Sequence, residues 1–264
     1  MIDLEQFRHT HAEQAVLIDG HCWRFYDTER EACPTLFMIP GAFGAAEIFW
    51  NQIVALGDSA RVVSITLPPI DSIIGLADGI IALMDTLEVP GANLLGSSLG
   101  GYLTQVIAAR HPQRLQTLFI ANSLLGAKDL TRRRDPASLR ALTGIEIRRH
   151  TLETINSWPD TQPADLILKQ LLAEHGARCL SDKMIKSRSI ILHSLPEAPH
   201  VDIPLSRVVI IECDDDPMIS ESGRARVCER FAGARTHTLN RGGHFPYITR
   251  PDIYTAIIAR RLLS

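Results

Sequence analysis

Apolar and polar positions along the chain change period several times, and these changes mark out its elements. Residues 14–19 and 22–26 alternate and are joined by Gly20-His21, which predicts a hairpin of two strands. The runs 34–39 (PTLFMI) and 61–67 (RVVSITL) are continuously apolar and stop at Pro40-Gly41 and Pro68-Pro69. Such runs predict strands buried on both faces of a sheet. Beyond Asp71, the expected N-cap, Ile74, Ala77, Ile81, Met84 and Leu87 recur at steps of three and four and predict a helix. A short strand at 92–96 leads into a helix from about Ser98 to Arg110, which His111-Pro112 ends. The run 115–121 (LQTLFIA) predicts another buried strand.

The texture then changes. Residues 126–199 carry no strong strand signal. Helices are predicted from Asp135-Pro136, over 163–175 with Gly176 as the stop, and over 180–195. Strand and helix patterns resume at 206–213, 223–231, 234–239 and 251–263. This alternation predicts an α/β chain whose mostly parallel sheet is covered on both faces. The expected organisation is a core of residues 1–125 and 200–264 with a helical cap at 126–199. In sheets of this kind the site lies beyond the carboxyl ends of the strands.

Composition narrows the function classes. The 264 residues are 45% hydrophobic and 22% charged, an ordinary globular balance, with a net charge of −3. That charge gives no global attraction to nucleic acid or an anionic membrane, and neither is an expected partner. No apolar run reaches the length of a membrane span. The first residues carry Asp3, Glu5, Arg8 and Glu13 instead of the basic start and apolar core of a secretion signal. The five cysteines contain no CxxC pair and read as reduced thiols, so the expected compartment is the cytoplasm. There is no Walker loop, dinucleotide glycine fingerprint or metal-ligand spacing. No cofactor and no metal are expected.

The chemistry concentrates just after predicted strands. Gly96-Ser97-Ser98-Leu99-Gly100 is a G-x-S-x-G sequence between a strand and a helix. The central serine of such a turn is strained, so its neighbours must be small, and Ser98 is the candidate nucleophile. A serine hydroxyl needs a base. Among the ten histidines, His244 lies in the glycine-flanked loop Arg241-Gly242-Gly243-His244-Phe245-Pro246 after the last predicted strand. The base needs an orienting acid, and 206–213 runs into Asp214-Asp215-Asp216. Asp216 is the first choice and Asp215 the alternative. The N–H groups of Leu99 and Ala42 are the candidate oxyanion donors, with Phe43 as the alternative to Ala42. Phe43, Trp50, Trp158 and Phe245 are candidates for a substrate pocket, and each fits core packing equally well.

These motifs together resemble the α/β-hydrolase superfamily over nearly the whole chain. GSSLGGYLTQ, IANSLL, LLAEHGARCLSDKM and GGHFPYITRP resemble, more narrowly, its maspardin-like branch. The resemblance implies the α/β-hydrolase fold, a mostly parallel central sheet flanked by helices with an inserted helical cap. It implies a serine hydrolase acting on a small carboxylic ester, thioester or lactone through Ser98, His244 and Asp216. It also leaves open a second class, a binding or scaffold protein with a protein partner, and acyl transfer as a third. Pro40 stands where the superfamily usually has His-Gly, so other contacts must hold the oxyanion loop. Serine at position 98 excludes the carboxylate-nucleophile members, and Phe245 stands where carbon–carbon bond hydrolases resemble one another in having Trp.

One feature lies outside that scheme. Arg132, Arg133, Arg134, Arg140, Arg148 and Arg149 gather at the start of the cap. Such a cluster is either a docking site for an acidic group or a solvated helix face. The identity of the acyl group and the oligomeric state are not encoded in any of these patterns.

Overall fold

In the computed structural model, which describes residues 3–31, 33–160 and 162–263, the apolar runs form one eight-stranded sheet. The chain runs through α1 (Leu4–Thr10), β1 (Gln14–Ile18), β2 (His21–Asp27), β3 (Thr35–Ile39), α2 (Trp50–Leu56), β4 (Arg61–Thr66), α3 (Ile73–Thr86), β5 (Ala92–Ser97), α4 (Leu99–Arg110) and β6 (Leu115–Ala121). Four helices follow in succession: α5 (Pro136–Ala141), α6 (Gly144–Asn156), α7 (Pro163–Cys179) and α8 (Asp182–Ser194). Then come β7 (Val208–Cys213), α9 (Glu221–Arg230), β8 (Arg235–Leu239), α10 (Pro246–Thr249) and α11 (Pro251–Leu262).

The strands lie in the order β1-β2-β4-β3-β5-β6-β7-β8. Strand β2 is antiparallel to β1 and β4, and every other pairing is parallel. Successive side chains of the inner strands enter opposite cores, as the two-residue period of a strand requires. Phe37, Ile39, Leu94, Leu118, Ile120, Val208 and Ile210 join the core that α3 and α4 cover. Leu36, Met38, Leu95, Phe119, Val209 and Ile211 join the one that α2 and α11 cover. Each such side chain contributes on the order of 1.5–3 kcal/mol when fully buried. This two-sided burial is why the inner strands read as unbroken apolar runs. The edge strand β1 alternates instead, and Leu17 on it is exposed.

The structure departs from the sequence pattern in a few places. Ser72, not Asp71, caps α3: it has the extended backbone of a cap, and its hydroxyl accepts the Gly75 N–H at 3.2 Å. Helix α7 does not stop at Gly176 but continues to Cys179. Gly176 is there for space, since a Cβ on it would collide with the Phe43 ring. Helices α1, α2 and α6 were not expected. For α6 the signal was present, because Thr143 and Glu146 form a reciprocal capping box. Among the described residues no helix is long and apolar enough to cross a membrane.

Candidate active site

All the candidate chemistry falls at one end of the parallel strands, where β3, β5, β7 and β8 hand over to loops. Ser98 follows β5 directly and caps α4 with φ 56° and ψ −119°. A positive φ on a residue with a Cβ costs about 1–3 kcal/mol, so the surroundings must enforce it. They do so by excluding alternatives. A Cβ on Gly96 would strike the Gly100 backbone, and one on Gly100 would strike the Ile39 carbonyl. The Ser98 N–H donates to the Ala121 carbonyl at 2.9 Å, and its carbonyl accepts the Ser123 hydroxyl at 2.8 Å. Helix α4, buried from Leu99 through Ala108, starts at this turn. Leu99 is its first residue, so its N–H has no partner within the helix.

The three aspartates after β7 all hold the loop after β8. Asp214 accepts the Arg241 N–H at 3.1 Å and Asp215 accepts the Gly243 N–H at 2.8 Å. Asp216 is the one that reaches the imidazole, with its Oδ2 at 2.9 Å and its Oδ1 at 3.0 Å from His244 Nδ1. The Asp216 side chain is fully buried. Burial alone would raise its pKa, but the charge and hydrogen bond of His244, the Asn122 amide and the Met218 N–H together hold it below its ordinary value. Asn122 comes from the IANSLL stretch. It donates to Asp216 Oδ2 at 3.0 Å and to the Gly243 carbonyl at 3.1 Å, locking acid and base loops together. With Nδ1 committed to Asp216, His244 keeps Nε2 free of hydrogen bonds among the described residues, Ser98 Oγ included.

The loop after β3 is held as Pro40 required, by contacts other than an imidazole next to the strand. Gly44 N–H closes a turn on the Gly41 carbonyl at 3.0 Å. Arg188 of α8, fully buried, donates to the Gly44 carbonyl at 2.6 Å, to the Ala42 carbonyl at 3.5 Å and to the Leu67 carbonyl. No carboxylate lies among the influences on its charge, and burial lowers its pKa to about 9. His175 of α7 accepts the Ala45 N–H at 2.9 Å through Nε2. The bonds within this loop flank Ala42 and Phe43, whose own N–H groups make no hydrogen bond among the described residues. The glycine at 41 packs directly on Ser98, since a Cβ there would approach the Ser98 side chain.

A cavity of ≈ 430 Å³ opens over this turn. Ser98, His244, Ala42, Phe43, Trp158 and Phe245 all border it. Leu99 does not, because its side chain packs into the core while its backbone starts α4. Trp50 does not either: it lies in α2, packed in the core beneath that face of the sheet.

Residues 36–257 match the alpha/beta hydrolase family. The chain belongs to that family. It is 27% identical to maspardin of Homo sapiens over 261 residues, covering 94% of this chain and 82% of maspardin. It is 25% identical to maspardin of Danio rerio over 257 residues, covering 94% and 81%. Its fold matches the enol-lactonase of Burkholderia xenovorans LB400 with a TM-score of 0.80 at 18% identity, covering 95% of this chain and all of that one, 100%. The chain is thus a maspardin-like alpha/beta hydrolase.

This member of the family has a second buried cluster of reactive side chains. Glu47, His175 and Cys179 bring their ligand atoms within 4.8 Å of one another, a spacing that would suit a metal ion. Their chemistry does not suit one. Arg8 clamps Glu47 with Nη2 on Oε1 at 2.5 Å and Nε on Oε2 at 2.9 Å. His175 Nδ1 meets the same carboxylate at 3.2 Å and the Cys179 thiol meets it at 3.1 Å. Burial and then Glu47 push the thiol well above its ordinary pKa, which disfavours the thiolate a metal needs. Asn122, His175 and Arg188 are the participants that pattern reading missed. Only Asn122, next to a strand end, carried a positional signal.

Proposed function

We propose that the chain is a cofactor-free serine hydrolase of carboxylic esters, with thioesters and lactones within its reach. The observation that carries this is the buried Asp216–His244 pair, whose unused Nε2 borders the same cavity as the strained Ser98. Ser98 Oγ attacks the substrate carbonyl while His244 Nε2 accepts its proton. Asp216 keeps the other imidazole nitrogen protonated and stabilises the imidazolium. The N–H groups of Leu99 and Ala42 receive the oxyanion, helped by the start of α4. His244 returns the proton to the leaving alkoxide. A water then attacks the acyl-enzyme with the same imidazole as base, and the acid departs. Arg188 acts as a positioning residue, setting the Ala42 carbonyl and hence the direction of the loop. In this reading helices α5–α8 form the cap over the site, and Phe43, Trp158 and Phe245 supply apolar surface to the substrate. An enol-lactonase among the structural neighbours is in keeping with lactones as substrates.

Purified wild type and Ser98→Ala, treated with a fluorophosphonate probe, test this reading. Wild type is expected to label rapidly and the variant not at all. Turnover of an activated ester should fall in the variant by roughly 10⁶, the scale seen for a comparable nucleophile. A Ser98→Ala protein with near-normal esterase rates would sink the assignment, and no labelling of wild type would shift it to a binding protein.

A further inference from the structure

The cavity over Ser98 has an uneven charge. Its border includes Arg132 and Arg134 and no aspartate or glutamate. Neither guanidinium forms an ion pair among the described residues, whereas Arg148 pairs with Asp182 and Arg149 with Glu153. Within the basic run Arg148 and Arg149 are thus paired, while Arg132 and Arg134 border the cavity without a counter-ion among the described residues.

Their placement is fixed by the backbone. Leu130 bridges Ile219, and the Thr131 N–H donates to the Met218 carbonyl at 2.9 Å. Three residues on, the Arg134 N–H donates to His193 Nδ1 at 3.1 Å. The segment is thus tied to the acid loop at one end and to α8 at the other. Arg132 and Arg134, two positions apart, border the cavity while Arg133 between them does not. Burial and then the neighbouring Arg134 and Arg133 lower the His193 pKa to about 4. A neutral His193 keeps Nδ1 as the acceptor that holds Arg134 in place. The rest of the border joins the apolar side chains of Leu130, Ile155, Trp158 and Leu192 to the hydroxyls of Thr151, Thr154, Ser157 and Ser189. A carboxylate placed there meets the two guanidinium groups, with hydroxyl groups beside them.

We infer that the preferred substrate is an ester carrying a free carboxylate remote from the scissile carbonyl, with that carboxylate received by Arg132 and Arg134. This rests on the serine-hydrolase reading for its chemistry but not for its binding. The carboxylate is a spectator: water cleaves the ester bond through the acyl-enzyme, and the second acid group leaves as it came. Guanidinium and carboxylate match in planar, two-pronged geometry, and a bond to a charged donor is the stronger kind.

Two measurements test it. The first compares kcat/KM for monomethyl adipate and 6-acetoxyhexanoate with the neutral dimethyl adipate and methyl 6-acetoxyhexanoate. Wild type is expected to favour an anionic member of a pair by about tenfold to a hundredfold, the range of a hydrogen bond to a charged group. The preference should shrink as salt rises. It should collapse towards unity in Arg132→Gln/Arg134→Gln and survive in Arg133→Gln. The second measurement uses Ser98→Ala, with calorimetric binding of the same compounds and of adipate. Binding of the anions in Ser98→Ala that disappears in Ser98→Ala/Arg132→Gln/Arg134→Gln supports the inference even if wild type hydrolyses nothing, an outcome that would remove the hydrolase reading alone. Equal kcat/KM for anionic and neutral esters, with no arginine-dependent anion binding, overturns the inference and leaves the hydrolase reading standing.

Discussion

Asp216 and His244 meet at 2.9 Å after β7 and β8, and Glu47 and His175 meet at 3.2 Å between the loop after β3 and α7. Both are buried carboxylate–imidazole pairs, and they differ in what each leaves unspent. His244 has one nitrogen on its carboxylate and the other free beside a cavity. His175 has one nitrogen on its carboxylate and the other on the Ala45 N–H. Asp216 is supported by neutral donors, the Asn122 amide and the N–H groups of Met218 and Ile219. Glu47 is neutralised by the Arg8 guanidinium. The first pair has a proton-accepting site to offer a reaction. The second has none, and its bonds tie together α1, the loop and α7. Residue type alone therefore does not distinguish the pair proposed for catalysis from the one that ties elements together; the unused valence does.

The largest expected contrast comes from removing one carboxylate charge at a time. Asp216→Asn keeps the shape but lets the imidazole adopt the wrong tautomer, with Nε2 protonated towards Ser98. Turnover is expected to fall by about 10⁴, as for the corresponding change in a serine protease triad, with little change in Tm. Steady-state kinetics on an activated ester, alongside a melting curve, checks both halves. Retention of a tenth or more of the wild-type rate would break the comparison on its catalytic side.

Glu47→Gln should do the reverse. It leaves the half-buried Arg8 guanidinium with only the exposed Glu174 carboxylate, at 2.6 Å. Losing one partner of a fully buried pair costs about 3–5 kcal/mol, so with Glu174 remaining the loss is about 1–3 kcal/mol. For a chain of this size that lowers Tm by about 5 °C. Burial would raise the Glu47 pKa, but Arg8, His175 and Cys179 draw it well below its ordinary 4.5. The folded state thus binds this proton less readily than the unfolded one. The stabilisation is complete above pH 4.5, the ordinary value, and drains away as the pH falls below it. Melting curves of wild type and Glu47→Gln should accordingly draw closer as the pH falls from neutral to about 3. A constant gap over that interval would mean that the ionised carboxylate is not what holds this region.

The contrast between the pairs also explains what the sequence could disclose. Ser98, Asp216 and His244 each follow a strand, so order and position were enough to name them as candidates, and the continuous apolar runs were enough for the parallel sheet. Phe43, Trp158 and Phe245 could be named but not placed, and Trp50 from the same group lies in the core. Arg188 stands in KSRSIILHS, within the helix predicted over 180–195. Its bonds go to backbone carbonyls 144 and 121 positions away, and a carbonyl leaves no mark in a sequence. Glu47 and His175 were hidden by distance along the chain, since their partners lie on α1, on α7 and on the loop after β3. Gly176 misled in the other direction: a glycine read as a helix stop is there to admit the Phe43 ring.

Arg188 provides the smallest and most discriminating test, because it joins the two regions. It comes from α8, it is fully buried, and it grips the loop that also carries the His175 contact. Arg188→Met fills much of the same volume but leaves the Gly44 and Leu67 carbonyls without their donor, at a cost of about 1–3 kcal/mol for a buried group left unsatisfied. If Arg188 served stability alone, Tm would fall while kcat of the folded protein stayed the same. As a positioning residue it should lower kcat by about tenfold to a hundredfold, below the loss of 10²–10³ seen when an oxyanion donor is removed outright. KM should move only a few-fold, since the loop's bond to the oxyanion exists in the transition state and not in the bound ester. Arg188→Lys restores the charge but not the forked geometry that spans the Gly44 and Leu67 carbonyls. Recovery of kcat by lysine would assign the effect to the charge beneath the loop, and its absence would assign it to the geometry. An unchanged kcat in both variants would separate the loop from α8, leaving Gly41–Gly44 to hold their shape by the turn alone.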